Sequence, residues 1–495
     1  MNTPYQIIVG LEVHVQLMTK TKLFCSCKTV FGAPPNSQVC PICLGMPGVL
    51  PVMNEQAFQL GLRAALALNC QIANFTKWDR KNYYYPDLPK NYQISQYDLP
   101  FSYEGYLDID TSSGSRRIGI IRAHLEEDAG KSMHDESGRG GDSKVDLNRT
   151  GTPLLEIVSK PDIRSAEDAE TYLRELRLLL REIGVSDCEM QEGSLRCDAN
   201  VNIHILYSSD NGEEIAATPL VEIKNLNSIG SVGRAIQYEA ERQYEAFQKD
   251  PKNYRFGKLL KTTAGWNEAR GMTQVQRHKE EAADYRYFPD PDLVPVVVTA
   301  EQIEEVKRSL GELPSQQRTR LQAAPFSLSA YDAQVLTGQG RKMVAYFEEV
   351  AKISDPKSAC NWLTNEVFAS LKERSEEIDQ FPIRAPQLGE LINEMKQLGI
   401  KREKARDVYQ KMLAENVDAK TAIDQLGYKP FDDNLLLDLI RKAIEGNRKA
   451  VLDYKKGNEK ALDRVFGTVM RETKGMGRPD RIKQLLLEEV AKIEA

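Results

Sequence analysis

Acidic and histidine side chains recur at alternate positions along three segments that are typical of β-strands. In the first, residues 10–17, Glu12 and His14 alternate with leucine and valine. Successive side chains of a strand point to opposite faces, so Glu12 and His14 should project together. A carboxylate and an imidazole at this spacing can bind one cation, although an exposed polar face is the commoner reason for such a pattern.

The second segment, residues 120–132, has an unusual density of acids for a β-region. His124, Glu126 and Asp128 share one face of a strand at this spacing. Glu127 faces the other way unless a bulge or a turn re-aims it. The pattern therefore predicts a second polar face with carboxylates in reach of a cation.

The third segment, residues 193–206, separates an apolar row of odd positions from a polar row of even positions. The polar row consists of Ser194, Arg196, Asp198, Asn200, Asn202 and His204. A shorter segment, residues 221–228, puts Glu222 and Lys224 on a common face. These rows are richer in charge than solubility alone requires.

If these strands pair, their polar faces form one surface that carries Glu12, His14, Glu126 and Asp198. Oxygen ligands with at most one imidazole suit Mg²⁺ or Mn²⁺ better than Zn²⁺. A Mg²⁺ ion beside lysine or arginine suits phosphoryl transfer, because both neutralise the charge of phosphate oxygens. The candidate cations are Lys81, Arg80 and Lys131. No P-loop is present, since the AGKS at 129–132 has Leu125 in place of the upstream glycine.

Four of the eight cysteines lie close together in the sequence: Cys25, Cys27, Cys40 and Cys43. Two close pairs of thiolates predict a tetrahedral structural Zn²⁺ site with no open position for catalysis. A redox pair or a vestigial site are the alternatives. The other cysteines are scattered and are expected to pack in the core.

The elements that position these residues predict an α+β protein. Residues 1–295 alternate short strand patterns with a helix capped by Ser165 and stopped at Gly184. Helical patterns then follow one another to the end, which predicts a helical domain at 296–395 and a basic helical tail at 396–495. Residues 401–495 hold 21 Lys and Arg against 17 Asp and Glu, while the whole chain has a net charge of −6. An anionic partner of the tail and a merely solvated helical face are equally compatible with this charge.

The sequence contains no run of about 18 apolar residues and no basic, then apolar leader at its start, so we expect a cytoplasmic protein without membrane contact.

Several ordered motifs together resemble the GatB/GatE family, which supplies the B-type subunit of the tRNA-dependent amidotransferases. They are VGLEVHVQL at 9–17, the cysteine cluster, DRKNYYYPDLPKNYQISQY at 79–97, HLEEDAGKS at 124–132, GTPLLEIVS at 151–159, GSLRCDANVN at 193–202, VEIKNLNS at 221–228 and GTVMRETKGMGRPD at 467–480. The resemblance covers almost the whole chain. It implies a cradle domain built on an antiparallel sheet with flanking helices, then a helical domain and a YqeY-like tail that grips tRNA.

The resemblance also implies a reaction. ATP phosphorylates the side-chain carboxylate of Glu on tRNA(Gln) or of Asp on tRNA(Asn), and ammonia then displaces the phosphate to give the amide. The implied Mg²⁺ ligands are Glu12, His14, Glu126 or Glu127, and Asp198. The resemblance also implies that Lys81, Ser194 and Arg196 lie near the nucleotide or the acyl phosphate. Glu126 and Glu127 are implied in catalytic roles as well. The four cysteines are implied as ligands of a structural Zn²⁺.

The implied partners are an amidase-type glutaminase subunit that supplies ammonia, a small third subunit of the heterotrimer, and the mischarged tRNA. A non-discriminating aminoacyl-tRNA synthetase is a further candidate partner. Two alternatives from other classes are a non-catalytic tRNA-binding scaffold and a zinc hydrolase. The crowding of Glu126, Glu127 and Asp198 argues against the scaffold, and a four-thiolate site lacks the open position that a zinc hydrolase needs.

Overall fold

The computed structural model describes residues 4–133, 143–209, 212–278, 284–398, 400, 402–428, 433–473 and 479–493. The chain divides into two compact units, Met1–Leu313 and Pro314–Ala495. The first unit is rich in strands and the second is helical. This order confirms the predicted α+β class.

The first unit contains all the strands among the described residues, and four helices. The strands are β1 (Tyr5–Gln16), β2 (Gln71–Ile72), β3 (Phe75–Thr76), β4 (Asp79–Asn82), β5 (Tyr92–Ser95), β6 (Ser102–Thr111), β7 (Gly114–Glu127), β8 (Lys131–Met133), β9 (Lys144–Asp146), β10 (Pro153–Ser159), β11 (Leu195–Ser209), β12 (Gly212–Ala217), β13 (Val221–Lys224), β14 (Thr262–Asn267), β15 (Met272–His278), β16 (Phe288–Pro289) and β17 (Val296–Val297). The helices are α1 (Glu55–Ala67), α2 (Ala166–Glu182), α3 (Ile229–Lys249) and α4 (Ala300–Leu310).

One large sheet dominates the first unit. Its strand order is β15-β14-β13-β11-β1-β10-β7-β6-β2, with β12 paired to β11. The neighbours are antiparallel, as predicted, except for β13 and β14, which run parallel. β1 is hydrogen-bonded directly to β11 and β10, whereas β7 is reached only through β10. The three chemistry-bearing segments therefore belong to one sheet.

Helices cover the apolar side of this sheet. Leu11, Val13 and Val15 of β1 are fully buried and share one core with apolar residues of α1, α2 and α3. This burial fixes the strand register, because a slip by one residue would turn the apolar row onto the other face. Glu12 and His14 are thereby held on the opposite, polar face.

Helix α2 begins and ends where the sequence predicts. The Ser165 hydroxyl accepts a hydrogen bond from the backbone N–H of Asp168 at 3.0 Å. The Asp168 carboxylate accepts from the backbone N–H of Arg164 at 3.0 Å rather than from that of Ser165, so the reciprocal bond of a capping box is displaced by one residue. Gly184 follows the helix with φ +68°, a conformation that glycine adopts without strain.

The first unit extends beyond the predicted boundary at 295/296. Helix α4 packs against α1, where the Arg63 guanidinium donates to the carbonyl of Ser309 at 2.9 Å, and Leu310 joins the core of the sheet domain. The change from strand to helix near residue 300 is therefore not a change of core. The packing boundary follows Leu313.

The second unit is helical throughout its described residues. Its α-helices are α5 (Pro314–Gln322), α6 (Ala330–Thr337), α7 (Arg341–Ile353), α8 (Pro356–Trp362), α9 (Phe368–Arg374), α10 (Ala385–Leu398), α11 (Arg402–Glu415), α12 (Ala419–Gln425), α13 (Asp433–Gly446), α14 (Arg448–Lys455), α15 (Leu462–Glu472) and α16 (Pro479–Ala491). A π-helical turn, Leu363–Val367, joins α8 to α9. None of the described helices is long and apolar enough to cross a membrane.

The second unit has two hydrophobic cores. One uses residues between 321 and 423, and the other uses residues between 436 and 490. The boundary predicted at 395/396 falls inside α10, whose Leu391 and Ile392 belong to the first of these cores. Along the chain, the first core ends at Tyr428 and the second begins at Leu436. Residues 474–478, part of the family motif in the tail, lie outside the described residues.

Candidate active site

A row of four polar side chains crosses the sheet on its polar face. His14 of β1 lies opposite Glu156 of β10 on one side and opposite Arg196 of β11 on the other. Glu156 in turn lies opposite His124 of β7. Side chains that are directly opposite on adjacent strands share a face and are close enough to interact.

Three residues of this face form a candidate metal site. Nε2 of His14 lies 3.5 Å from Oε1 of Glu126 and 3.5 Å from Oε2 of Glu156. One ligand atom from each of the three residues lies within 4.8 Å of the others. Two mostly buried carboxylates this close need positive charge, which a divalent cation would supply. Two carboxylates and one imidazole suit Mg²⁺ or Mn²⁺.

The electrostatics of the cluster agree with a cation site. Burial lowers the pKa of His14, but hydrogen bonding to Glu156 and the charges of Glu156 and Glu126 outweigh it and raise the pKa to about 9. Burial raises the pKa of Glu156, but His124 and His14 outweigh it and hold the pKa well below its ordinary value. The cluster thus favours positive charge between these two carboxylates.

His124 supports one of the carboxylates from the side. Its Nε2 lies 3.3 Å from Oε2 of Glu156 and 4.0 Å from Oε2 of Glu126, and the residue is 3% exposed. A buried imidazole that contacts a ligand carboxylate fixes the orientation of that carboxylate.

Glu12 and Asp198 share the polar face with the cluster but lie one row away. They are opposite each other on β1 and β11. Glu12 accepts a hydrogen bond from Nδ2 of Asn200 at 2.9 Å, and Asp198 is 2.6 Å from Nζ of Lys224. The pair therefore forms a second acidic site beside the first.

Glu127 is not brought to the cluster. Its carboxylate accepts from Nζ of Lys90 and, at 2.9 Å, from the backbone N–H of Ile94. Glu126 and Glu127 are adjacent in β7, so they point to opposite faces, and no bulge re-aims Glu127. Of the two acids, the geometry brings only Glu126 to His14.

Lys81 is the predicted cation that interacts with the acidic cluster, as phosphoryl transfer requires. Burial lowers its pKa, but the charges of Glu126 and Glu156 outweigh it and raise the pKa above the ordinary value. Its ammonium lies 5.1 Å from the ring centroid of Tyr285 and 5.9 Å from that of Tyr83. Aromatic rings thus hold a permanent positive charge beside the acidic cluster.

Arg196 is oriented by a buried acid. Its Nη2 donates to Oδ2 of Asp128 at 2.7 Å, and the charge of Asp128 raises the pKa of the guanidinium. The same carboxylate lies 3.3 Å from Nε of Arg149 and accepts from Nε2 of Gln16 at 3.1 Å. Asp128, which the sequence places on the polar face, therefore anchors a guanidinium rather than a metal ion.

Ser194 uses its hydroxyl within its own turn. The hydroxyl donates to Oδ1 of Asp187 and accepts from the backbone N–H of Glu189 at 2.7 Å. These bonds fix the turn before β11 and occupy the hydroxyl with local partners.

The other two predicted cations, Arg80 and Lys131, do not contact the cluster of His14, Glu126 and Glu156 in the part of the chain that the structure describes. Arg80 is paired with the buried Asp290 at 2.8 Å and with Asp292 at 3.2 Å. Lys131 lies in the β8–β9 hairpin and is exposed.

The predicted cysteine cluster is present. One sulfur atom from each of Cys25, Cys27, Cys40 and Cys43 lies within 4.8 Å of the others, which a single metal ion requires. A hydrogen bond from the Cys25 thiol lowers the pKa of Cys43 against the effect of burial, and the backbone N–H of Cys40 acts in the same direction. Four sulfurs at this spacing fit a closed tetrahedral zinc site.

Comparison with known families matches this architecture. The model of the GatB/GatE catalytic domain matches residues 7–304, and the model of the GatB domain matches residues 345–490. This chain belongs to the GatB/GatE family.

Curated relatives cover the same length as this chain. The B-type subunit of the aspartyl/glutamyl-tRNA(Asn/Gln) amidotransferase from Rhodopirellula baltica is 50% identical over 493 residues, which cover 99% of this chain and 98% of the relative. The protein of the same name from Caldanaerobacter subterraneus is 46% identical over 490 residues, which cover 99% and 100%. The chain is thus related along its whole length to one member of a multi-subunit amidotransferase.

Sequence reasoning missed two members of the site. Glu156 lies in PLLEIVS, which has apolar residues on both faces and predicts a buried strand rather than a ligand. The signal was a lone acid within an otherwise apolar strand, since such a charge needs a partner. Alternation in residues 120–132 puts His124 on the polar face, but it does not show that His124 contacts Glu156.

Proposed function

We propose that this chain uses ATP to phosphorylate the side-chain carboxylate of Glu on tRNA(Gln), of Asp on tRNA(Asn), or of both. The observation that carries the proposal is the cluster of His14, Glu126 and Glu156 beside Lys81. It combines ligands for a hard cation with a fixed ammonium, which are the two parts that phosphoryl transfer requires.

The chain's own residues have distinct tasks in this reaction. His14, Glu126 and Glu156 hold Mg²⁺, which neutralises phosphate oxygens when bound. Lys81 offsets the negative charge of the approaching carboxylate and phosphate, and Arg196, oriented by Asp128, provides a second fixed cation on the same face. Glu12 and Asp198 offer two more carboxylates for the Mg²⁺ that accompanies the nucleotide.

The proposed chemistry has two steps. A carboxylate oxygen of the aminoacyl group attacks the γ-phosphorus of ATP, the bond to the bridging oxygen breaks, and ADP leaves. Ammonia then attacks the acyl carbon, the bond to the phosphate oxygen breaks, and the nitrogen loses a proton to give the amide. Phosphorylation is needed because a carboxylate oxygen is a poor leaving group.

The ammonia and the tRNA come from outside this chain. We propose that an amidase-type glutaminase subunit releases ammonia and that the complex also has a small third subunit. The basic tail holds the tRNA backbone. Support comes from the name of the relatives, which is that of one member of an amidotransferase complex, and from the excess of Lys and Arg over residues 441–483, 13 against 6 acids.

The four cysteines are proposed to bind structural Zn²⁺. Four thiolates leave no open position for a substrate, so this site stabilises its loop rather than taking part in chemistry.

The decisive experiment measures ADP release by the purified complex with Glu-tRNA(Gln), with Asp-tRNA(Asn) and with uncharged tRNA. We expect ADP release only with a mischarged tRNA. Parallel assays with Glu-tRNA(Gln) and Asp-tRNA(Asn) show which of these two the complex uses. The Glu126→Gln variant should bind tRNA normally but release no ADP. Unchanged ADP release in that variant would favour the alternative, in which this chain is a tRNA-binding scaffold and ATP is used elsewhere.

The tail is tested by its salt dependence. Replacing the exposed Arg448 and Lys449 by alanine should weaken tRNA binding and lower the slope of log affinity against log salt by about one per lost phosphate contact. The same changes at the exposed Lys307 and Arg308 of α4 are the matched control. An unchanged slope in the tail variant would contradict its role.

A further inference from the structure

A lysine is fully buried beside the four cysteines. The side chain of Lys22 is 0% exposed, and its Nζ lies 3.6 Å from Sγ of Cys43 and 3.4 Å from the carbonyl oxygen of Leu147. A buried ammonium is strongly destabilising unless a negative charge and hydrogen-bond acceptors surround it. The role of Lys22 can therefore be inferred from the negatively charged group that its ammonium contacts.

Two carboxylates line a small cavity of about 30 Å³ with Lys22, and both have other partners. Glu127 is paired with Lys90, and Asp292 lies 3.2 Å from Nη2 of Arg80. Among the described residues, no carboxylate lies within 4.0 Å of the Lys22 ammonium. The sulfur of Cys43 is thus its nearest acidic group.

A zinc ion with four thiolate ligands keeps an excess of negative charge, since each ligand is deprotonated. The cluster is partly buried, so water compensates this charge only in part. We propose that Lys22 is the built-in counter-charge of the four-cysteine site, and that its ammonium raises the affinity of this site for zinc. The inference rests on the proposed zinc site.

The same lysine connects the cysteine loop to the strand that carries Glu156. Its ammonium donates to Leu147, and the backbone N–H of Leu23 donates to the carbonyl of Gly151 at 2.8 Å. Both acceptors lie in the segment that leads into β10. A Cβ at Gly151, which has φ +82°, would lie 3.5 Å from Cδ of Lys22 and 3.8 Å from Cβ of Cys43. The loop and this segment are therefore in close contact at the lysine.

The test compares zinc binding by the wild-type complex and by its Lys22→Met variant, which keeps an apolar stem and removes the charge. Zinc affinity is measured by competition with a chromophoric chelator, and Co²⁺ substitution reports the thiolate ligands by their charge-transfer absorption. We expect Lys22→Met to bind zinc about 10–100-fold more weakly, the usual effect of removing a group that supports metal ligands. Lys77→Met is the matched control, because Lys77 is a partly buried lysine paired with Asp79 and Asp98 instead of a thiolate.

Each outcome supports or overturns the proposal. Equal zinc affinity in wild type and Lys22→Met would overturn it while leaving the zinc site intact, whereas a wild-type complex that binds no zinc would overturn the site itself. If Lys22→Met does not fold, Lys22→Gln and Lys22→Arg replace it. Weaker zinc binding by the glutamine variant than by the arginine variant supports a charge effect. Equal zinc binding by these two variants, or failure of both to fold, would assign Lys22 to packing alone and contradict the proposal.

Discussion

The part of the first unit that the structure describes contains two ligand clusters, which differ in chemistry and in origin. His14, Glu126 and Glu156 come from three strands and offer nitrogen and oxygen, while the four cysteines come from one loop and offer only sulfur. Three hard ligands leave coordination positions for a substrate, whereas four thiolates fill a tetrahedron. In the function proposed above, reaction and stabilisation are assigned to separate clusters of this unit, and the following predictions test that separation.

The largest expected effect is on the cluster of His14, Glu126 and Glu156, called the reaction cluster below. Glu156→Gln keeps the shape of the side chain and removes its charge, so we expect amidation to fall more than about a hundredfold because a metal ligand is lost. Binding of tRNA, measured by filter retention, should stay within about twofold. Glu170→Gln is the control, since Glu170 is a partly buried glutamate of α2 that is paired with Arg174 and lies outside the cluster. Wild-type amidation by Glu156→Gln would remove the cluster from the mechanism.

A smaller effect is expected at His124, which contacts a ligand without being one of the three. His124→Asn should raise the Mg²⁺ concentration for half-maximal activity by about 10–100-fold, since Glu156 loses its support. The rate at saturating Mg²⁺ should change little. A fall in that saturating rate, with no change in Mg²⁺ dependence, would contradict a positioning role.

The second acidic pair should matter less than the cluster. Asp198→Asn is expected to raise the KM for Mg²⁺·ATP by about tenfold or less, because Asp198 is balanced by Lys224 and lies one row from His14. Steady-state kinetics in ATP at fixed mischarged tRNA measures this. Complete loss of activity would instead place Asp198 among the essential ligands, as the family resemblance first implied.

The smallest effect on catalysis is expected at the cysteine cluster. Cys40→Ser should lower the zinc content and lower the melting temperature by about 5 °C or more, because metal binding contributes folding free energy. Amidation per folded complex at 25 °C should remain within about twofold. A specific loss of kcat at unchanged stability would show that the two clusters are not separate.

The sequence predicts local features of this site well. Alternation in β1 is enough to put Glu12 and His14 on a polar face, because burial of Leu11, Val13 and Val15 allows no other register. The cysteine cluster is also local, so its spacing is informative. The same holds for the limits of α2, which depend on Ser165 and Gly184.

Contacts between distant segments could not be predicted in this way. Nothing in PLLEIVS indicates that this strand lies between β1 and β7, since strand order depends on the packing of the whole sheet. Glu156 was therefore missed, and Asp198 was grouped with ligands that lie a row away. The boundary at 295 failed for the same reason, because a helical pattern does not show that α4 packs on α1.

The central position of β10 has a consequence for synthesis of the chain on the ribosome. When only the residues up to β7 have emerged, His14 and Glu126 both exist, but the strand that spaces them across the sheet does not. The reaction cluster can form only after β10 has inserted between its neighbours. The four cysteines all precede β7 in the chain, so their thiols can come together before the cluster of His14, Glu126 and Glu156 is complete.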